Sequence, residues 1–178
     1  LSGILAPEQI HVNEKMSAHT TFRVGGEADI FVEIRTAAQL LNAVAALGAE
    51  GFCEPGKDYF ILGNGSNVLV SDSGIRGIVL HLSKKYGKIA PDGASHLVCE
   101  AGASLAAIAQ KACECGLTGF EFAAGIPGSL GGAIVMNAGA YDGEMRHVVE
   151  RVRLMAPDGT ITEKNTEEMH FSYRHSIL

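Results

Sequence analysis

The residues with the most evident chemical potential lie between Gly119 and Gly143, GFEFAAGIPGSLGGAIVMNAGAYDG. Gly125, Gly128, Gly131, Gly132 and Gly139 stand there beside Pro127 and the apolar Ile126, Leu130, Ile134, Val135 and Met136. A solvated linker is rich in Gly and Ser but poor in such side chains, so a buried, tightly turned backbone is expected. Glycine serves where φ must be positive or where another group must approach the main chain closely. Buried peptide N–H groups need acceptors, and a phosphate at a helix start is a good one. The chemistry this suggests is a phosphate cradle made of main chain. A packed helix start that needs Gly for close contact accounts for the stretch equally well.

A second small-residue loop, Gly63-Asn64-Gly65-Ser66-Asn67, follows the apolar run Tyr59–Leu62 and precedes Val68-Leu69-Val70. Its small side chains would let a pyrophosphate approach, and Ser66 and Asn67 add donors. It is neither a Rossmann fingerprint, since Val68 stands where the third Gly belongs, nor a P-loop, since no Lys-Ser or Lys-Thr follows. Taken alone, a tight connection between strands is the weightier reading. Two such loops in one small protein favour one shared phosphorylated ligand over two coincidences. Thr20-Thr21-Phe22-Arg23-Val24-Gly25-Gly26 reads as a polar approach to a strand with a Gly-Gly turn. Arg174, in Ser172-Tyr173-Arg174, could clamp a carboxylate or phosphate through two parallel N–H donors, although on spacing alone a surface Arg beside a core Tyr is the better account. The seven His are scattered without metal-ligand spacing, and no CxxC pair occurs among the four Cys, so no metal site is expected.

These segments need a scaffold. The chain has 178 residues, 47% hydrophobic and 19% charged, which suits a globular protein with a real core. The net charge of −6 argues against a nucleic-acid surface, and no apolar run is long enough to span a membrane. The four Cys read as reduced thiols of an intracellular protein. Residues 28–34 have strand alternation with Ile30, Val32 and Ile34 on one face. Thr36 and Gln39 form a capping-box pattern before a helix with a Leu40, Leu41, Val44, Leu47 stripe. Strands are expected at 59–62, 68–70 and 78–82. A boundary at 82/83 divides the chain into a small α/β subdomain, 1–82, and a larger α+β one, 83–178. In the second, two Ala-Pro-Asp-Gly turns at 90–93 and 156–159 indicate hairpins. A helix is expected over 104–115, with Leu105, Ile108, Ala109 and Ala112 inward. A short helix over 132–137, a strand over 148–155 and a last turn capped by Thr166 complete the pattern.

Four segments together resemble one family. TTFRVGG (20–26), ILGNGSNVLV (61–70), GIPGSLGGAIVMNAGAYDGE (125–144) and FSYRHS (171–176) are similar, in order and spacing, to UDP-N-acetylenolpyruvylglucosamine reductase, MurB. The resemblance implies an α+β fold, the two-subdomain FAD-binding fold of the vanillyl-alcohol oxidase and p-cresol methylhydroxylase type, with FAD between the subdomains. It implies tight, non-covalent FAD, its pyrophosphate held by Gly63, Asn64, Gly65, Ser66 and Asn67 together with Gly125, Ile126, Pro127, Gly128, Ser129, Gly131 and Gly132. Asn137, Ala138, Gly139, Ala140 and Tyr141 would lie near the flavin. It implies NADPH as reductant and the conversion of UDP-N-acetylglucosamine enolpyruvate to UDP-N-acetylmuramate, a cytoplasmic step of peptidoglycan precursor synthesis. Arg174 is then the catalytic cation and Tyr173 lines its pocket.

The family's proton-donating Ser and its Glu belong to a third domain beyond the last of these segments. The expectation is therefore a fragment that holds FAD but does not turn over, with no obligate protein partner. Two alternatives stand beside this reading: an oxidase of the same fold, which often attaches flavin covalently, and a non-enzymatic nucleotide-binding module.

Overall fold

The computed structural model describes residues 1–178. The chain forms two units, Leu1–Tyr86 with Met155–Thr160, and Gly87–Leu154 with Ile161–Leu178. Residues 155–160 thus belong to the first unit, which a single cut at 82/83 does not contain.

The first unit is built on a four-stranded sheet. Its strands are β1 (Ile10–Lys15), β2 (Glu27–Ile34), β3 (Tyr59–Leu62) and β4 (Ile75–Leu82), in the order β1-β2-β4-β3. β1 runs antiparallel to β2, whereas β2 and β3 both lie parallel to β4. Parallel neighbours need a crossover rather than a hairpin. β2 reaches β3 through helix α1 (Ala37–Ala49), and β3 reaches β4 through residues 63–74. This explains why Val68–Val70 is not the strand its composition suggests. Its residues belong to the crossover, and Val70 is buried against the sheet with Phe31, Leu62 and Val79.

The other face packs Val32, Ile34 and Leu80 on Ala43, Val44 and Leu47 of α1, with Ile30 against the same cluster. Leu41, expected in the α1 stripe, is exposed. Thr36 caps α1 by accepting the Gln39 N–H at 3.1 Å. Gln39 does not return the bond to Thr36 as a capping box would. Its Oε1 accepts the Arg35 N–H at 2.9 Å, and its amide pairs with Gln9. Gly51, at φ +88°, follows the helix end.

The second unit contains the pairs β5 (Ile89–Asp92) with β6 (His96–Cys99), β7 (Gly139–Ala140) with β8 (Gly143–Glu144), and β9 (Arg151–Met155, whose last residue counts with the first unit) with β10 (Ile161–Asn165). Its helices are α2 (Leu105–Glu114) and the short α3 (Leu130–Val135). Ser104 caps α2 by accepting the Ala107 N–H. Leu105 and Ile108 enter a core shared with Phe122, Ile134, Met145 and Met169. Ala112 is buried as well, while Ala109 is only half-buried. α3 lies earlier than the expected 132–137, and β9 starts at Arg151 because a helical turn occupies Met145–His147. Residues 166–170 form turns rather than a helix, and Thr166 does not cap them. Its hydroxyl donates to the Val149 carbonyl. Asn165 and Glu168 exchange backbone-to-side-chain bonds at 2.9 Å instead.

All four Cys are free thiols. Cys53, Cys113 and Cys115 are exposed, whereas burial pushes the Cys99 thiol up to about 11. The thiolate is the reactive form, so three thiols are expected to react with iodoacetamide at pH 8 and Cys99 to lag well behind. Mass spectrometry of the labelled peptides checks this.

Candidate phosphate-binding loops and arginine turn

In the first unit the 63–67 loop is fixed by its own glycine. Gly65 is buried at φ +65°, and a Cβ there would stand 1.9 Å from the His19 carbonyl oxygen. The Gly65 carbonyl accepts the Thr21 N–H at 3.0 Å. The 20–26 segment is therefore more than a polar approach to β2, because it is the wall on which the loop rests. Thr20 closes it by donating its hydroxyl to the Val24 carbonyl at 3.0 Å. Gly26 donates to Ser71 O at 2.9 Å, and a Cβ on it would meet Asp72 O at 2.1 Å. The signal in the sequence was the Gly-Gly pair, without an indication of what it packs on. Held in this way, the loop leaves the N–H groups of Asn64, Gly65, Ser66 and Asn67 without acceptors in the chain. These are the donors an anion needs.

In the second unit the 125–132 segment is anchored along one side. Leu130 donates to Ala103 O and Gly131 to Ala101 O, both at 2.8 Å, and the Gly128 carbonyl accepts from Leu105 at 3.1 Å. A Cβ at Gly131 would stand 3.1 Å from Ala101 Cβ. Gly131 thus serves packing, and its N–H is occupied, as is that of Ile126, which donates to Ala123 O. Both amides are therefore taken up within the chain. The N–H groups of Gly125, Gly128, Ser129 and Gly132 remain without an acceptor in the chain.

The expectation of a buried backbone holds only in part. Phe122, Ala123, Ser129, Ala133, Ile134, Asn137 and Ala138 are buried, but Gly125, Pro127, Gly132 and Tyr141 are exposed. Nor do the loop glycines adopt positive φ; Gly119 alone in the stretch does. Gly125 would meet nothing within 4 Å if it carried a Cβ, and Gly132 only Ser129 Oγ at 3.7 Å. No internal packing and no backbone angle requires glycine at these two positions. Open main chain with free donors, which a Cβ would fill, fits a phosphate group.

The end of the stretch is a hairpin. Tyr141 and Asp142, both in the left-handed region at φ +51° and +63°, link β7 to β8 as the two-residue loop of a I′ turn. Tyr141 is 92% exposed at the tip. Gly143 admits Phe122, whose ring would lie 2.6 Å from a Cβ. Asn137, expected beside the flavin, is 3% exposed, and its carboxamide is taken up by bonds within the unit. Ala138 is likewise buried, with its carbonyl accepting the Met145 N–H.

The same unit carries Arg174. Ser172 and His175 exchange N–H···O bonds at 3.0 and 3.2 Å across the turn Tyr173-Arg174, with Arg174 at φ +55°. Tyr173 is 89% exposed, not a core residue, and the Arg174 guanidinium lies 5.7 Å from its ring centroid. Arg174 and, in the first unit, Arg23 make no ion pair, whereas Arg35, Arg76, Arg146, Arg151 and Arg153 all do.

A family model described as FAD binding domain matches residues 28–165. The chain belongs to the FAD-binding domain family. Full-chain relatives point the same way. The UDP-N-acetylenolpyruvoylglucosamine reductases of Caldanaerobacter subterraneus subsp. tengcongensis and Clostridioides difficile are 47% and 45% identical over 178 residues. The chain spans 57% of the length of each. Among solved structures, the MurB of Thermus caldophilus superposes over 95% of this chain and 56% of its own, with TM-score 0.75 and 33% identity. The MurB resemblance carried by the four segments is thus borne out.

Two further structures share the fold alone. The glucose dehydrogenase Phl p 4.0202 superposes with TM-score 0.66 at 12% identity, and alkyldihydroxyacetonephosphate synthase with TM-score 0.67 at 16%. They cover 91% of this chain, which covers 36% and 34% of theirs. The FAD-binding domain seen here has the two-subdomain fold expected from the sequence. No helix is long and apolar enough to cross a membrane.

Proposed function

We propose that this chain is the FAD-holding part of a cytoplasmic, NADPH-using reductase that converts UDP-N-acetylglucosamine enolpyruvate to UDP-N-acetylmuramate, a peptidoglycan precursor. The observation that carries the reading beyond FAD binding is Arg174, an unpaired cation presented on a two-residue turn. The proposed phosphate donors are the free N–H groups of 64–67 in the first unit and those of Gly125, Gly128, Ser129 and Gly132 in the second. Tyr141, at the hairpin tip, would stand toward the ring end of the cofactor. Bound FAD supplies the hydride chemistry. Hydride addition to the enolpyruvyl double bond builds electron density beside the substrate carboxylate. The Arg174 guanidinium, with donors in a planar fork, would stabilise that charge as it develops. Tyr173 would fix the guanidinium by stacking.

Two experiments test the parts separately. The full-length gene product is expected to oxidise NADPH beyond one equivalent per flavin only when the enolpyruvyl UDP-sugar is present, followed by absorbance and by the appearance of the lactyl ether product. Turnover with an alcohol or a phenol and oxygen in its place, with flavin that stays on acid-precipitated protein, would indicate an oxidase instead. For the cradle, Gly125→Ala and Gly132→Ala are expected to leave the flavin-free chain as stable as before or about 0.4–1 kcal/mol more so, because nothing crowds the new methyl. FAD affinity should nonetheless fall by about 10-fold or more, the equivalent of ~1.4 kcal/mol. Calorimetry of FAD binding to the two variants checks this, and unchanged affinity would move the phosphate elsewhere.

A further inference from the structure

We infer that Asn137 is a positioning residue whose buried carboxamide sets where the Arg174 turn stands against the β7–β8 hairpin; this rests on the reading of Arg174 given above. Asn137 sits at φ +39°, a conformation that Asn tolerates better than most residues. Its Oδ1 accepts the Arg146 N–H at 3.0 Å. One Nδ2 proton goes to Glu144 on β8 and the other to the Ser172 carbonyl at 3.0 Å. The side chain therefore joins the hairpin to the residue that opens the arginine turn, 35 positions further on.

The turn is held on its other side too. Ser176, fully buried, donates its hydroxyl to the Val135 carbonyl at 3.0 Å, and Ile177 N–H donates to Met169 O at 3.0 Å. Asn137, Tyr141, Asp142, His170 and Arg174 are the non-glycine residues of this unit with left-handed φ, and all lie in these tied segments. Such conformations persist where the surroundings over-determine them. The bonds also explain the residue type. Asp at 137 would keep the shape but lose both donors and set a carboxylate against Glu144 and a carbonyl oxygen.

The test uses the flavin-loaded full-length gene product, with turnover expressed per bound flavin. Asn137→Asp is expected to lower kcat by about 10–100-fold, as small misplacements of a catalytic group do, while flavin content stays near one per chain. Combined with Arg174→Ala it should lower kcat no further than Arg174→Ala alone, since the two act as one unit. Asn137→Asp/Glu144→Gln restores a donor–acceptor pair with the hairpin but not the bond to Ser172. It should therefore recover thermal stability without recovering kcat.

A second readout is free of catalysis. Hydrogen exchange at the Ser172 and His175 amides should speed up in Asn137→Asp, with the α2 amides unchanged. If Asn137→Asp fails to retain flavin, Asn137→Ser, which keeps one donor, takes its place in every arm. Unchanged kcat per flavin, additivity with Arg174→Ala, or recovery of kcat in the Glu144→Gln pair would each leave Asn137 as an ordinary buried amide and overturn the inference. Full turnover in Arg174→Ala would instead remove the reading on which the inference rests.

Discussion

Gly65→Ala is expected to strip the flavin from the chain and to destabilise the first unit. Alanine at φ +65° pays the left-handed penalty, about 1–2 kcal/mol. Its methyl would also lie 1.9 Å from the His19 carbonyl oxygen. That neighbour is main chain and has no rotamer through which to give way, so a further ~1–3 kcal/mol of overpacking is expected. Relief requires the 63–67 loop to lift away from 19–21, breaking the Thr21 N–H bond to Gly65 O. The free N–H groups of Asn64 to Asn67 then lose their common direction. The checks are the ratio of flavin absorbance, near about 450 nm, to protein absorbance, and the melting temperature without FAD. Gly125→Ala is the matched control, because it adds the same methyl where no atom lies within 4 Å. Loss of flavin with loss of stability at 65, and loss of affinity without loss of stability at 125, separate a glycine that shapes a loop from one that leaves room for a ligand. A Gly65→Ala chain with normal melting and full flavin would refute the account of this loop.

That contrast also marks what could be read from the sequence. Glycine runs among apolar residues identified both loops, and the order of four segments identified the family. The reason for each glycine was not legible, because it depends on neighbours far along the chain. Gly65 answers to His19, Gly131 to Ala101 and Gly143 to Phe122, while Gly125 answers to nothing in the chain. Composition likewise suggested a strand at Val68–Val70, since β-branched and apolar residues also suit a crossover that covers a sheet face. Leu41 fell in the right helical period yet is exposed, because the buried stripe is centred on Ala43, Val44 and Leu47. Thr36 caps α1 as its pattern suggests, but the Gln39 half of the capping box and the Thr166 cap failed for a related reason. Gln39 and Thr166 each found a partner more distant than the local one, Gln9 and Val149 respectively. Asn137 is the sharpest instance. The motif placed it near the flavin but gave no sign that its carboxamide bonds to Glu144, Arg146 and Ser172, which lie up to 35 positions away.

Arg174→Ala in the full-length gene product is expected to lower kcat by about 100–1000-fold, the usual effect of removing one preorganised group from developing negative charge. Flavin affinity should stay the same, because the phosphate donors assigned here are peptide N–H groups of other segments. The fold should also persist. Arg174 is exposed, forms no ion pair, and occupies a turn closed by the main chain of Ser172 and His175. The left-handed φ of +55° favours Asn over Ala as the replacement, so Arg174→Asn is the cleaner variant if Arg174→Ala melts early. Arg174→Lys keeps the charge but not the planar fork and should recover only part of the loss. The three variants, assayed for kcat, KM and flavin content, distinguish the possible roles. A fall in kcat with KM little changed means that the guanidinium acts on the transition state, and a rise in KM alone means that it only binds the substrate. A Lys variant as active as the parent would show that a point charge suffices. The Asn137 inference would then lose its force, because a flexible ammonium needs no fixed turn to reach its target.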